Sequence, residues 1–170
     1  LGDFLAFGRP GSLEAARLDL AALAREAADL LALRPGAPAV ALECGGPLWI
    51  DGDRDRLRQV LINLLLNAAE AGGNGGPVEI RIEGTGEGAQ IRVRDRGPGI
   101  PADNLPRLFR PFFTTRKGGT GLGLAICARI VGLHGGTISA GNWAGPEGAS
   151  GAEFLVCLPV RLPLTPPSRV

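Results

Sequence analysis

The sequence predicts an α+β fold: a two-layer α/β sandwich with helices on one face of a mixed β-sheet. Three observations predict it. Long segments carry apolar residues at helical spacing. Short segments alternate apolar and polar residues, as half-buried strands do. Between them, 27 Gly and 14 Pro punctuate a chain of 170 residues. With 45% hydrophobic residues the chain has enough apolar surface to bury a core. The glycine and proline excess therefore reads as loops and tight turns, not as an unfolded chain.

Taken in order, Leu1 to Phe7 reads as the end of a helix, with Leu1, Phe4 and Leu5 on one face and Arg9-Pro10-Gly11 as the stop. A second helix covers Ala21 to Leu33, where Leu23, Ala24, Ala27, Leu30 and Leu31 keep helical spacing before Arg34-Pro35-Gly36 ends the run. Ala39 to Glu43 and Leu48 to Ile50 read as short strands around a Gly-Gly-Pro turn. Asp53 suits an N-cap, and Leu57, Val60, Leu61, Leu64, Leu65 and Ala68 mark one buried face of a helix reaching about Ala71. Val78 to Glu83 and Gln90 to Arg94 alternate as a hairpin joined by Gly84 to Gly88. A long irregular stretch follows, Asp95 to Gly119, and a loop of that length inside a domain is usually functional. A helix over about Leu122 to Leu133 ends at His134-Gly135-Gly136. Thr137 to Ala140 and Ala152 to Leu158 are further strands, and the tail from Arg161 is Pro-rich.

The net charge of +1 exerts no global pull on nucleic acid or anionic lipid, so neither nucleic acid nor direct membrane contact is expected. No apolar stretch is long enough to cross a bilayer. Cys44, Cys127 and Cys157 are widely spaced among apolar neighbours, which reads as buried free thiols in a reducing, cytoplasmic setting and not as a zinc site or disulfide framework. Met is absent and Leu stands first, as expected of a fragment of a longer chain.

Chemistry concentrates in three segments. Asn63, Asn67 and Glu70 lie at i, i+4 and i+7, one polar stripe on an apolar helix. Amide oxygens are hard ligands that suit magnesium, whose shell keeps waters and substrate phosphates. Asp95-Arg96-Gly97-Pro98-Gly99-Ile100 starts where a strand ends. A carboxylate there accepts a hydrogen bond from an exocyclic amine, and glycines let backbone approach a flat ligand. Gly118-Gly119-Thr120-Gly121-Leu122-Gly123-Leu124 opens a helix, and glycine-rich backbone at a helix N-terminus is a phosphate site. A dinucleotide fingerprint fails because no strand precedes these glycines, and a Walker P-loop fails because no Lys-Ser or Lys-Thr closes the run. Between the last two segments, Phe109, Phe112 and Phe113 are either core plugs or a clamp over a ligand, with Arg110, Arg116 and Lys117 available to phosphates. Alone, each segment has an ordinary alternative: a solvated helix face, an acidic turn, a packed loop.

Their order and spacing together resemble the catalytic ATP-binding domain of bacterial sensor histidine kinases. That domain belongs to the GHKL superfamily shared with gyrase, heat-shock chaperone and mismatch-repair ATPases. The resemblance covers roughly residues 12 to 159. Asn63 to Asn67 match the asparagine box, Asp95 to Ile100 the first glycine box, Phe109 to Phe113 the phenylalanine box and Gly119 to Leu124 the second glycine box. The resemblance implies the Bergerat-type sandwich, with residues 12–160 as the catalytic domain and 161–170 as a tail. Residues 1–11, with Asp3 to Pro10, are similar to the end of the helical dimerisation domain of nitrogen-regulation-type kinases. It further implies that Asp95 binds the adenine amine, that Gly97, Gly99 and Ile100 shape the adenine pocket, and that Asn67, helped by Asn63, holds Mg2+. Glu70 and Phe113 would also line the nucleotide. Gly119, Thr120, Gly121, Leu122, Gly123 and Leu124 would cradle the phosphates, residues 101–118 would form the lid, and Arg116 or Lys117 would neutralise the phosphates. The implied partners are ATP, a dimerisation and phosphoacceptor helical domain, and a response-regulator receiver domain.

Two departures stand out. The family often has a Thr after the glycine of its last strand to support the adenine; here Gly151 is followed by Ala152, so that support is expected to be missing or replaced by water. The one His, His134, sits at a helix end, where termination or packing is expected and not phosphate acceptance. The hydrolytic relatives carry a Glu four residues before the magnesium-binding Asn. Asn63 fills that slot and offers no base to activate water, which favours phosphoryl transfer to a His over hydrolysis.

Overall fold

The expected layers form because the inward residues of alternating strands meet the apolar faces of three helices. The computed structural model describes residues 13–73, 75–116 and 118–161. Leu1 to Phe7, Asp3 to Pro10, Lys117 and the tail beyond Arg161 lie outside the described residues.

Five strands make the larger sheet: β2 (Val40–Cys44), β4 (Val78–Gly84), β5 (Gly88–Arg94), β6 (Thr137–Ala144) and β7 (Ser150–Pro159). Their order is β2-β4-β5-β7-β6, with β2 parallel to β4 and the other neighbours antiparallel. Val78, Ile80 and Ile82 of β4, Ile91 and Val93 of β5, and Phe154, Val156 and Leu158 of β7 are buried. Their sequence neighbours turn outward, where Arg92 pairs with Glu153, Arg81 with Glu43 and Glu83, and Glu79 with Arg96.

The helices are α1 (Leu20–Ala32), α2 (Arg54–Gly72) and α3 (Gly123–Leu133). Leu57, Val60, Leu61, Leu64, Leu65 and Ala68 are the buried face of α2, as the spacing predicts. Each fully buried Leu contributes roughly 1.5–3 kcal/mol. Asp53 caps α2 by accepting from the Arg56 N–H at 3.2 Å. Asp19 caps α1, its Oδ1 accepting from the Ala21 N–H at 3.0 Å and the Leu48 N–H at 2.9 Å. The Leu48 N–H, above all, holds the Asp19 carboxyl below its ordinary range.

Two sequence expectations need correction, and one strand was not expected at all. The segment before α1 is a strand, β1 (Ala16–Asp19), that pairs antiparallel with β3 (Trp49–Gly52) in a separate two-stranded sheet. The strands flanking the Gly-Gly-Pro turn therefore go to different sheets. β6 and β7 run longer than their apolar alternation, as Thr137–Ala144 and Ser150–Pro159, because ladder bonds carry through the polar residues up to Ser150. Of the three free cysteines, Cys127 alone is buried; Cys44 and Cys157 are half-buried. Burial pushes the Cys127 thiol up to about 12, so it stays protonated at neutral pH.

His134 ends α3 and is 1% exposed. Its Nδ1 lies 2.8 Å from the Ile130 carbonyl oxygen, and its Nε2 accepts from the Asp53 N–H at 3.0 Å. The hydrogen-bond network thus assigns a neutral imidazole with the proton on Nδ1. This one side chain pins the end of α3 to the start of α2, and burial lowers its pKa.

Candidate functional site

The polar stripe of α2, the loop after β5 and the start of α3 converge on a cavity of about 620 Å³. That is within the size range of small-molecule sites, ~300–1,000 Å³. Asn63, Asn67, Glu70 and Ala71 line it from α2.

Asp95 stands at its floor, just past the end of β5, and is 1% exposed. Its Oδ1 accepts from two backbone groups, the Gly97 N–H at 2.9 Å and the Ala152 N–H at 3.0 Å. Its Oδ2 is buried and has no partner among the described residues. A buried acceptor without a donor is costly unless a ligand completes it. Ala152 has no hydroxyl to offer a ligand, but its backbone N–H holds the carboxylate from β7. Gly151 makes the approach possible, since a Cβ there would lie 2.0 Å from the Asp95 carbonyl oxygen. Pro98, Gly99 and Ile100 line the cavity beside Asp95, whereas Gly97 contributes through its N–H and does not line it.

At the opposite end, Gly119, Thr120, Gly121, Gly123 and Leu124 line the cavity. Leu122 is 5% exposed and turns into the core, anchoring the turn. No side chain caps α3. Gly123 and Leu124, the first residues of α3, line the cavity, so the positive end of the helix dipole lies there. Gly121 has φ +66°, and a Cβ on it would lie 2.5 Å from the Phe112 carbonyl carbon, so this turn requires glycine.

The segment between includes a short 3-10 turn, Ala102–Arg107, within the irregular stretch. Its three Phe take three different roles. Phe109 packs against the core, Phe113 lines the cavity beneath the Arg107 guanidinium at 4.6 Å, and Phe112 is 66% exposed at φ +66°. Arg116 lines the cavity and reaches across its mouth to α2. Its Nη1 pairs with Glu70 Oε2 and its Nη2 donates to the Asn67 carbonyl at 2.9 Å. Both side chains are substantially exposed, so the ion pair is worth at most about 1 kcal/mol and exchanges readily.

Among the described residues, no group of three His, Cys, Asp or Glu side chains is placed to hold a metal. The hard donors on the α2 side of the cavity are the carboxamides of Asn63 and Asn67 and the Glu70 carboxylate, the last paired with Arg116, and Asn63 Nδ2 donates to the Gly123 carbonyl at 3.3 Å. Such a donor set does not cage a cation; it fits magnesium arriving with phosphates and water. Sequence reasoning missed Asn142 and Trp143, and it read Gly151 and Ala152 only through the side chain that Ala152 lacks. No motif signals them, because they reach the site through the β6–β7 ladder.

Comparison with known proteins places this geometry. The family model for histidine kinase-, DNA gyrase B- and HSP90-like ATPases matches residues 52–162. The chain is 47% identical over 113 residues to the sensor histidine kinase ZraS of Escherichia coli O157:H7, covering 66% of this chain and 24% of that protein. It is 36% identical over 164 residues to ZraS of Klebsiella oxytoca, covering 94% of this chain and 35% of that protein. The chain thus spans about a quarter to a third of these relatives. Among solved structures it is similar to the catalytic domain of histidine kinase ThkA, with TM-score 0.78 and 35% identity over 87% of this chain and 97% of that one. It is also similar to full-length ShkA in complex with AMPPNP, with TM-score 0.80 and 32% identity over 97% of this chain and 36% of that one.

Proposed function

The chain belongs to the family of histidine kinase-, DNA gyrase B- and HSP90-like ATPases, and from that membership we propose that it binds ATP with Mg2+ in the 620 Å³ cavity as the catalytic domain of a two-component sensor histidine kinase. The observation that carries the proposal is Asp95 Oδ2, a buried acceptor without a donor in a cavity whose other end is an uncapped helix start.

In this reading Asp95 Oδ2 accepts from the exocyclic amine of adenine while the Gly97 and Ala152 N–H groups keep the carboxylate aimed. Pro98, Gly99 and Ile100 give the base an apolar slot. The N–H groups of Gly119 to Leu124 and the α3 dipole take phosphate oxygens. Asn67, with Asn63 beside it, offers an amide oxygen to Mg2+, which neutralises the triphosphate and orients its terminal phosphoryl group. Arg116 leaves Glu70 for the phosphates, with Lys117 next to it in sequence. Glu70 then serves as the place where Arg116 rests. An amide at position 63, already engaged by the Gly123 carbonyl, is no base for water, which supports transfer to a His over hydrolysis.

The acceptor His belongs to a dimerisation domain preceding residues 12–160, and a response-regulator Asp receives the phosphoryl group next. ATP as donor makes the cytoplasm the place of action. Among the described residues no helix is long and apolar enough to cross a membrane. Mixing the chain with candidate acceptor-helix domains and γ-labelled ATP tests the proposal. Acid-labile label on the acceptor His is expected, and its absence from every acceptor that also lacks nucleotide binding by the chain would refute it.

A further inference from the structure

Two adjacent residues of β6 grip the loop Asp95 to Ile100 at both ends, and no motif contains either. We infer that Asn142 is a positioning residue for purine recognition, holding that loop in its binding-competent shape through the backbone of Ile100. The inference rests on the reading of the cavity as an ATP site.

Asn142 Oδ1 accepts from the Ile100 N–H at 2.7 Å, and its Nδ2 donates to the Ile100 carbonyl at 2.9 Å. The carboxamide thus imitates a strand partner for one residue of an irregular loop. Asn142 stands directly opposite Ala152 in the β6–β7 ladder, and Ala152 is the residue whose N–H fixes Asp95 Oδ1. One rung therefore holds both the acid and the far end of its loop. The next rung, Trp143 opposite Gly151, holds the start of the loop: Trp143 Nε1–H donates to the Asp95 carbonyl at 2.9 Å. Gly99 completes the fit. Its φ is +78°, and a Cβ on it would lie 2.8 Å from Asn142 Oδ1, so glycine lets the amide close in.

Asn142 is exposed, so it is not there to fill the core. Asn is also depleted in strands, and a residue placed against local propensity points to a task elsewhere. Gly99 and Ile100 line the cavity, so the task is at the base-binding end. Apparent affinity scales with the fraction of molecules whose loop is competent; a fall in that fraction to about one tenth weakens binding about tenfold.

Calorimetric titration with MgADP and MgATP, on the whole chain and three variants, tests this. Asn142→Ala is expected to weaken both nucleotides about tenfold and by the same factor, because the loop touches the base end that they share. Asn142→Ser, whose hydroxyl makes one of the two bonds, falls between. Ser139→Ala, exposed on the same strand, binds as the parent does. Amide exchange at Ile100 speeds up in Asn142→Ala while the Val93 amide in β5 keeps its protection. Equal affinities for Asn142→Ala and the parent overturn the inference, as does a loss confined to MgATP, which would put the amide at the phosphate end. A parent chain that binds neither nucleotide refutes the ATP-site reading itself.

Discussion

Asp95→Asn separates recognition from folding, because the two oxygens of Asp95 have separate partners. Oδ1 accepts from the Gly97 and Ala152 N–H groups, and Oδ2 has no hydrogen-bond partner among the described residues. In Asp95→Asn the amide oxygen keeps both backbone donors and the NH2 group takes the place of Oδ2. The nucleotide-free protein loses no hydrogen bond, and its stability should shift by no more than about 1 kcal/mol. On the proposed reading binding suffers, because a donor would now face the donating amine of adenine. Loss of a hydrogen bond to a carboxylate is worth ~1.5–3 kcal/mol, so the dissociation constant should rise about 10- to 150-fold. Asp95→Ala removes both oxygens and strands two N–H groups, at about 1–3 kcal/mol each. For a domain of this size each kcal/mol moves Tm by roughly 2–4 °C, so a drop of about 5–20 °C is expected there. Isothermal calorimetry with MgATP and a thermal melt without nucleotide read the two quantities. If Asp95→Asn binds MgATP as tightly as the parent, Oδ2 does not face the base, and the site assignment fails.

Four further outcomes follow from the same geometry. Asn67→Ala should make ATP affinity indifferent to Mg2+; a persistent magnesium enhancement would put the ion elsewhere. Gly121→Ala, with its Cβ 2.5 Å from the Phe112 carbonyl carbon at φ +66°, should displace the start of α3 and weaken ATP more than adenosine, measured by competition titration. His134 is buried neutral with a lowered pKa; its contribution to stability is complete above the ordinary His value of about 6.5 and is lost as pH falls below it toward the lowered value, with a slope of at most about 1.4 kcal/mol per pH unit. Urea unfolding at pH 7.5 and 5.5 should show that loss, and His134→Gln should remove it. Incubation with labelled ATP should leave the chain itself unlabelled, because His134 is 1% exposed with both ring nitrogens engaged; label on His134 would contradict this.

Much of the fold was legible because it is written locally. The buried face of α2, its Asp53 cap, the β4–β5 hairpin and the glycine-rich start of α3 each follow from periodicity or from one residue's backbone preference. The three chemical segments were legible for the same reason. Asn63 and Asn67 share a face of α2 by helix geometry alone, and Asp95 lies where a strand must end. Local pattern could not report pairing. β1 lacks a strong alternation and exists because β3 offers it a ladder. Nor could a sequence show that Arg116 would settle on Glu70, since two exposed side chains 46 residues apart meet only when the chain has folded.

The same division runs through the site. Residue types alone pointed to the groups proposed to touch a purine, a cation and a phosphate. Tertiary structure decided how firmly the acid is aimed. The Ala152 N–H, the Trp143 indole and the Asn142 amide reach the Asp95 loop across 42 to 57 residues. Backbone donors carry no side-chain signature, and strand register is a cooperative outcome of the whole sheet. That is why a departure as plain as Ala152 in place of Thr leaves the carboxylate fully held on one oxygen and open on the other.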